Sequence, residues 1–204
     1  MFCKKLIVQN FRNIEYCEYE FSKDANILYG KNAQGKTNLI EALYLFSCGK
    51  SFRCQKEKEM VMFDRLSAQI RLIIENEKEY DVLIKIKAHG KKEIYINGYK
   101  AEKVSELIGM LSAVIFTPEH LSLLKSGPSE RRKFLDLAIC TLSPKYYSYL
   151  SEYNKILLNR NALLKKIQRQ KADASSLFVW DEQLARYGAY ILKSRNAYIN
   201  KLNE

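Results

Sequence analysis

The segment Gly30–Thr37 carries the residues most able to do chemistry, because its sequence matches the pattern G-x-x-x-x-G-K-[ST] in full. In such a loop the two glycines let the backbone wrap around a phosphate, and the helix that follows adds its positive end. Lys36 would reach the β- and γ-phosphates, and the Thr37 hydroxyl would bind Mg²⁺. The pattern therefore predicts a nucleotide-binding site, with a glycine-rich turn that merely caps a helix as the alternative. The residues assigned to this site are Gly30, Lys31, Asn32, Ala33, Gln34, Gly35, Lys36 and Thr37.

The stretches on either side of this loop have the composition that a phosphate-binding loop needs. Ala25–Tyr29 is short and apolar, runs directly into Gly30, and is predicted to be a strand. From Thr37 onward the pattern becomes helical, and the apolar residues fall roughly on one face: Leu39, Ile40, Leu43, Tyr44 and Phe46.

The remaining strand predictions cover the beginning of the chain and its middle. Phe2–Gln9 and Tyr16–Ser22 partly alternate apolar and polar residues, with Arg12–Asn13 at the turn between them. Residues 69–74, 80–86 and 93–96 have the composition of three further strands. Asn97–Gly98 favours a tight hairpin turn, since both residues tolerate positive φ. We therefore expect an antiparallel meander over residues 67–100.

Helices are predicted for most of the remainder. Ser112–Phe116 is a possible buried strand, after which Pro118–Glu119 opens a short helix. Ser143 and Pro144 are typical of an N-cap and a first helical residue, and the apolar stripe predicts a helix to about residue 170. A second helix, N-capped by Ser175–Ser176, continues to Leu202. Together they form a helical hairpin.

Composition limits the function classes further. The chain has 204 residues with 34 Lys+Arg against 23 Asp+Glu, so its formal charge is +11, and 47% of its residues are hydrophobic. This mixture excludes a disordered or collagen-like protein, and the positive excess favours a polyanionic partner. The N-terminus lacks a signal peptide, and the longest mostly apolar run, Leu107–Phe116, is too short to cross a bilayer. Five cysteines without C-x-x-C spacing disfavour a metal site or a disulfide framework, and indicate a reducing, cytoplasmic compartment.

Phosphoryl transfer would also require a metal-binding acid at the end of a second strand. Leu177–Glu182, four apolar residues followed by Asp-Glu, has the pattern of a Walker B strand. However, Trp180 is in phase with the apolar stripe of the following helix, so a helical interpretation is favoured.

A second motif identifies a family resemblance. Leu124–Asp136 is a Ser-Gly turn followed by a strongly basic helix start. Together with the phosphate loop it resembles the signature segment of ABC/SMC-type ATPases, in particular the RecF family of bacterial recombination and replication-repair proteins. Further matching segments, in the same order along the chain, are 10–13, 30–43, 49–53, 96–98, 116–121, 159–165 and 180–184.

The resemblance implies an α/β fold: a P-loop ABC/SMC-type ATPase head with an antiparallel β-meander and a helical second lobe, incomplete at its C-terminus. Residues 1–116 would be the nucleotide-binding lobe, and residues 117–204 the signature segment and part of the helical lobe. The family's Walker B acids lie C-terminal to that lobe, so no catalytic residue is assigned. A weak DNA-dependent ATPase activity is expected only of the full-length family.

The resemblance also implies ligands and partners. ATP and Mg²⁺ would bind at the loop, Arg12 would help hold phosphate, and Ser126 and Gly127 would contact the γ-phosphate bound to the other subunit of an ATP-dependent homodimer. The closed dimer would clamp single-stranded or gapped duplex DNA and help RecR- and RecO-type mediators load recombinase during repair, replication and the DNA-damage (SOS) response. A nucleoid-associated, cytoplasmic location without a membrane is implied.

Basic residues in the second half of the chain are candidate DNA contacts. Residues 151–204 hold ten Lys/Arg against five Asp/Glu, a balance suited to sequence-independent phosphate contacts, although a solvated helix face would look the same. The candidates are Arg131, Arg132, Lys133, Arg160, Lys165, Lys166 and Arg169, with Lys171 beside them.

Two other functions are compatible with the loop. A P-loop small-molecule (nucleotide) kinase could have this length, but it would need an Arg-rich lid and an acceptor pocket, which the predicted meander and helical hairpin fit poorly. A protein-interaction fragment without nucleotide function is the third alternative.

Overall fold

The computed structural model of the chain describes residues 2–54, 56–75, 78–117, 127–169 and 173–204. The chain forms two compact units, residues 1–116 and residues 117–204. Among the described residues the first unit holds every strand and the second is helical. No helix in the described part of the chain has the length and apolar character needed to cross a bilayer.

The first unit is built on one six-stranded antiparallel sheet, with strands in the order β2-β1-β3-β4-β5-β6. This arrangement confirms the predicted meander. It also adds the N-terminal hairpin to the same sheet through pairing of β1 with β3, which the sequence did not predict. The strands are β1 (Phe2–Phe11), β2 (Ile14–Glu20), β3 (Ser67–Glu75), β4 (Glu79–Lys87), β5 (Glu93–Ile96) and β6 (Tyr99–Lys100).

The core of this unit lies between one face of the sheet and helix α1 (Lys36–Cys48). Alternate residues of β3 and β4 are buried, as the two-residue period of a strand requires. They form one cluster with the apolar side of α1, whose Ala42 and Phe46 are fully buried. The helix ends at Gly49, which adopts a left-handed φ of 67° and donates its N–H to the Leu45 carbonyl.

Two predicted turns are confirmed, and both use residues with positive φ. Arg12–Asn13 joins β1 to β2, with Arg12 at φ 55°. Asn97 and Gly98, at φ 50° and 84°, join β5 to β6, as expected for a two-residue hairpin. The backbone conformation of such turns depends on residues that are neighbours in sequence, so the sequence alone predicts it.

The predicted strand Ala25–Tyr29 is wrong. The segment has no strand assignment, and the side chains of Ile27 and Tyr29 are 80% and 91% exposed. Its first part is a tight turn instead, because the Ser22 hydroxyl donates to the Ala25 carbonyl and the Ser22 N–H donates to Asn26 Oδ1. An apolar run becomes a strand only beside a partner strand, and none of the described residues provides one here.

The predicted strand Ser112–Phe116 is also wrong, for a similar reason. The segment has no regular secondary structure, and Val114 and Phe116 are largely exposed. The short helix expected from Pro118 lies outside the described residues.

The described residues of the second unit form helices α2 (Pro128–Leu142), α3 (Pro144–Gln168) and α4 (Leu177–Leu202). The start of α3 is as predicted, since the Ser143 hydroxyl accepts from the Tyr146 N–H and Pro144 is the first helical residue.

Two sequence predictions concern the start of α4. Leu177–Glu182 is the first part of α4. This confirms the favoured helical interpretation over a Walker B strand. Ser176 occupies the predicted N-cap position of α4, but its side chain makes no capping hydrogen bond. It ends a short 3-10 turn in which the Asp173 carboxylate accepts from the Ser175 N–H. Asp173 is the better capping group here, since a carboxylate accepts more strongly than a hydroxyl.

Candidate nucleotide-binding site

The loop between residues 30 and 35 has a backbone suited to an anion. Gly30, Ala33 and Gly35 have φ values of 140°, 63° and 94°. Successive reversals of this kind bend a backbone into the concave, N–H-lined loops that bind phosphate. A left-handed conformation at Ala33, a residue with a Cβ, is unusual and marks a loop whose shape is imposed by its surroundings.

Lys36 and Thr37 follow as the first residues of α1. The Lys36 ammonium donates to the carbonyls of Gly30 and Lys31 at 2.7 and 2.6 Å, so it is held over the beginning of the loop. Thr37 is exposed in the first turn of the helix. That turn contains no acidic residue, and no side chain of the described residues caps it, so the positive end of α1 can face an anion.

The turn between β1 and β2 holds the loop in place. Asn13 Nδ2 donates to the Ala33 carbonyl at 2.8 Å, and Asn13 Oδ1 accepts from Asn38 Nδ2 of α1 at 2.7 Å. Gly35 packs against the same turn, since a Cβ at that position would lie 3.0 Å from Asn13 Oδ1. The resulting bridge explains how Ala33 keeps its left-handed conformation.

A buried carboxylate lies beneath this bridge. Glu41 of α1 is fully buried and accepts four hydrogen bonds. Arg12 donates to both of its oxygens, at 3.1 Å from Nε and 2.7 Å from Nη2. The Ser51 hydroxyl donates at 2.5 Å and Arg53 Nη1 at 3.2 Å. Arg53 also donates to Asn38 Oδ1 at 2.6 Å, which joins the carboxylate to the bridge beside the loop.

Arg12, which the resemblance assigns to phosphate, is thus held by the protein itself. Besides Glu41 it donates from Nη1 to the Glu59 carbonyl at 2.7 Å. Burial acts to lower the pKa of Arg12, but the hydrogen bonds and charge of Glu41 raise it above its usual value. These contacts use three of the five guanidinium N–H groups of Arg12.

Sequence reasoning missed Glu41, Ser51 and Arg53 as members of this site. The signal for Glu41 was present, because it is the one charged residue among the mostly apolar residues 39–46 of α1. A buried charge requires a partner of opposite charge, yet nothing in the sequence indicates which arginine supplies it.

The predicted signature residues lie in the second unit. Ser126 falls outside the described residues. Gly127 is exposed and is the N-cap of α2, with an ordinary φ of −69°, and Pro128 follows as the first helical residue. In the next turn Arg131 and Arg132 are exposed and Lys133 is half-buried.

The basic residues of α3 fall into two groups. Arg160 forms an ion pair with Asp181 and so joins α3 to α4. Lys165 and Lys166 are exposed in the last turn of α3, and Arg169 is exposed at its C-cap. Lys171 lies outside the described residues.

Comparison with known families places this geometry in context. Residues 2–185 match the model of the RecF/RecN/SMC N-terminal domain. The chain is 45% identical over 205 residues to a protein named DNA replication and repair protein RecF in Agathobacter rectalis, and 46% identical over 206 residues to its namesake in Clostridium acetobutylicum. Each match covers 100% of this chain but 57% and 56% of the relative, so the chain spans little more than half the length of these curated relatives.

Solved structures show the same similarity. The chain superimposes with a TM-score of 0.87 and 42% identity on a structure described as the recombination mediator protein RecF-ATP in the RecFOR pathway, covering 98% of this chain and 54% of that one. A second structure, described as RecF-ATPrS, gives the same TM-score and identity with 55% of that chain covered. An SMC ATPase structure at 19% identity, with a TM-score of 0.55 over 68% of this chain, shares the fold alone.

Proposed function

The chain belongs to the RecF/RecN/SMC family and, within it, to RecF; from this premise we propose that it is the ATP-binding part of a DNA replication and repair protein. In this proposal residues 1–116 are the nucleotide-binding lobe, and residues 117–204 carry the signature segment and belong to the helical lobe.

The observation that carries this proposal is the shape of the phosphate loop. Its left-handed residues, the Lys36 ammonium over its start and the free positive end of α1 all suit a triphosphate. The relative whose structure is described as RecF-ATP covers nearly all of this chain, which supports ATP as the nucleotide.

Each residue of the loop has a defined task in this proposal. The backbone N–H groups of residues 31–35 donate to the phosphate oxygens, and the Lys36 ammonium neutralises the β- and γ-phosphates. When bound, Mg²⁺ would offset further phosphate charge, and the Thr37 hydroxyl would be its protein ligand. Among the described residues no group of three His, Cys, Asp or Glu could hold a metal, so Thr37 is the one ligand proposed from this part of the protein.

The wider function follows from ATP-dependent pairing of two such proteins. In this proposal Ser126 and Gly127 contact the γ-phosphate held by the partner subunit, and Arg12, held in place by Glu41 and Glu59, binds phosphate on its own subunit. The closed dimer holds gapped or single-stranded DNA, where mediators of the RecR and RecO type help load recombinase.

DNA contacts of the helical unit are proposed at its exposed cations. The residues proposed for phosphate contact are exposed: Arg131 and Arg132 near the start of α2, and Lys165, Lys166 and Arg169 at the end of α3. Lys133 and Arg160 contribute less, since Lys133 is half-buried and Arg160 is held by Asp181.

The direct test is DNA binding by the full-length protein with and without ATP. We expect affinity to rise with ATP and to fall steeply with salt, and the Lys36→Ala variant to lose the ATP-dependent part. Equal DNA affinity with and without ATP in the wild-type protein would contradict the proposal. Transfer of phosphate from ATP to nucleoside monophosphates would instead support the kinase alternative, which neither the sheet topology nor the family match favours.

A further inference from the structure

One lysine of the sheet unit joins the meander to the segment that follows α1. Lys92 lies in the connection between β4 and β5, and its side chain is only 8% exposed. Its ammonium donates to the Gly49 carbonyl at 2.5 Å and to the Glu57 carboxylate. A nearly buried ammonium is stable only where protein groups replace the water that it has lost. The two contacts therefore fix the positions of Lys92 and its partners relative to one another.

The two partners of Lys92 stand at the two ends of one segment, residues 49–57. Gly49 is the first residue after α1, and Glu57 begins a short 3-10 turn. The described residues between them form no helix or strand. Since no backbone ladder holds this segment, its position depends on contacts such as those at its two ends.

Segment 49–57 supplies hydrogen-bond donors to the buried carboxylate of Glu41. The Ser51 hydroxyl donates to it at 2.5 Å and Arg53 Nη1 at 3.2 Å. The Ser51 hydroxyl also accepts from the N–H groups of Arg53 and Cys54, which fixes the local backbone. A shift of the segment would thus remove two of the four hydrogen bonds that Glu41 accepts.

The turn that begins at Glu57 also holds Arg12. The Glu59 carbonyl accepts from Arg12 Nη1 at 2.7 Å, and the Met60 carbonyl accepts from the Arg12 N–H at 2.9 Å. Arg12 adjoins Asn13, whose side chain binds the phosphate loop. The contacts at the two ends of the segment therefore lead to the groups that support the loop.

The Lys92 ammonium is distant from the loop itself. It binds Gly49 at the C-terminus of α1, whereas the loop precedes the N-terminus of the same helix. A helix of 13 residues is about 20 Å long, so phosphates on the loop lie out of reach of this ammonium. Any effect of Lys92 on a bound nucleotide must therefore pass through the protein.

We propose that Lys92 is a positioning residue for the nucleotide site. By binding both ends of segment 49–57, it keeps the donors of that segment on Glu41 and so keeps the loop in the shape that receives a triphosphate. The inference rests on the ATP-binding function proposed above. It adds to that function a residue of the meander that touches neither the loop nor the nucleotide.

The test is the Lys92→Met variant of the full-length protein, titrated with MgATP by calorimetry below its melting temperature. Methionine keeps an unbranched stem and removes the ammonium. We expect ATP affinity to be about five- to tenfold weaker, within the range for residues that influence a distant site. Lys92→Arg keeps the positive charge and the N–H donors, so it should recover most of that affinity.

Hydrogen exchange adds a readout that a purely stabilising residue would not change. In Lys92→Met the amides of segment 49–57 and of residues 30–35 should both exchange faster, because the loss of one contact opens both places locally. Lys100→Met is the matched control, since Lys100 lies in the neighbouring strand β6 and its ion pair among the described residues is with Glu93. It removes the same charge and should leave ATP affinity and loop exchange unchanged.

Glu57→Gln tests the same contact from its other side if Lys92→Met does not fold. The Glu57 side chain is 37% exposed, so its loss of charge is partly compensated by water. We expect a weaker effect in the same direction, an ATP affinity about two- to threefold lower. Wild-type affinity in this variant would contradict the proposal.

The outcomes separate this inference from the proposed function. Weaker ATP binding and faster loop exchange in Lys92→Met, restored in Lys92→Arg, support the positioning role. Wild-type ATP affinity in a folded Lys92→Met protein overturns it and leaves the proposed function intact. An equal loss in Lys100→Met, or no recovery in Lys92→Arg, also overturns it, since the effect then does not depend on this ammonium. Absence of ATP binding by the wild-type protein overturns the proposed function and the inference together.

Discussion

Two carboxylates, one in each unit, have similar hydrogen-bond partners but different roles. Glu41 in the sheet unit and Asp136 in the helical unit each receive a bidentate arginine, Arg12 and Arg195 respectively. Each also accepts from a hydroxyl, Ser51 for Glu41 and Tyr146 for Asp136. Paired geometry of this kind gives both direction and strength to a charged contact.

The surroundings of the two carboxylates differ. Asp136 lies on α2, and its partners lie on α3 and α4, so its contacts join three helices and end there. Glu41 is fully buried and receives a second arginine, Arg53, that continues to Asn38. From Asn38 the hydrogen bonds run through Asn13 to the phosphate loop. The Glu41 network therefore supports the phosphate loop, whereas the Asp136 network holds helices together. Variants of the two carboxylates separate these roles.

Removal of the Glu41 carboxylate should have the largest effect. In Glu41→Ala, Arg12 loses its partner in a partly buried place, and breaking a buried pair costs about 3–5 kcal/mol of unfolding free energy. ATP affinity should fall as well, because the loop loses its support. Urea unfolding and ATP titration of the full-length protein measure the two effects. Glu20→Ala is the control, since Glu20 is exposed and its only ion pair among the described residues, with Lys5, is long at 3.7 Å.

Removal of the Asp136 carboxylate should affect stability alone. Its side chain is 18% exposed and that of Arg195 20% exposed, so water compensates part of the loss. We expect Asp136→Ala to lower the unfolding free energy by about 1.5–3 kcal/mol, the range for hydrogen bonds to charged groups, and to leave ATP affinity unchanged. A fall in ATP affinity as large as that of Glu41→Ala would contradict the distinction between the two carboxylates.

Gly35 tests how closely the loop depends on the turn that supports it. Gly35→Ala forces a Cβ into a left-handed residue, at about 1–2 kcal/mol, and brings it within 3.0 Å of Asn13 Oδ1. Gly98→Ala carries similar strain at φ 84° but meets no atom within 4 Å. Thermal unfolding should therefore show Gly35→Ala as the less stable variant, and only this one should weaken ATP binding. Equal ATP affinity in the two variants would show that ATP binding by the loop does not depend on its contact with the turn.

The smallest effect is a pH dependence from the helical unit. Burial, and then the hydrogen bond to Asp136, raise the pKa of Tyr146 above its usual value of about 10. Its contribution to stability is therefore complete below pH 10 and is lost as pH rises above that value, because the unfolded chain then releases a proton that the folded chain keeps. Above pH 10 the unfolding free energy of the wild-type protein should fall by up to about 1.4 kcal/mol per pH unit, and Tyr146→Phe should remove this fall. Melting temperatures of both proteins at pH 9 to 11 measure this difference. An identical dependence of melting temperature on pH in the two proteins would contradict the raised pKa of Tyr146.

The sequence predicted those parts of the molecule that depend on local chemistry. The hairpin at Asn97–Gly98, the cap at Ser143 and the left-handed glycines of the loop each follow from residues next to one another. The strands expected at residues 25–29 and 112–116 failed because a strand depends on a neighbour that is distant in sequence.

The two carboxylate networks were missed for the same reason. Arg12 and Glu41 are 29 residues apart, and Asp136 and Arg195 are 59 apart. Glu41 can be recognised as a charge in an apolar helix, but only the fold brings its two arginines to it.

Binding of MgATP to the full-length protein, compared with its Lys36→Ala variant by isothermal titration calorimetry, tests the proposed nucleotide site most directly. Among the described residues the hydrogen bonds of the Lys36 ammonium go to the Gly30 and Lys31 carbonyls, so its loss should spare stability. Charge-assisted contacts contribute about 1.5–3 kcal/mol, which predicts a roughly 10- to 150-fold weaker affinity for ATP. An unchanged affinity in a folded Lys36→Ala protein would contradict ATP binding at residues 30–37.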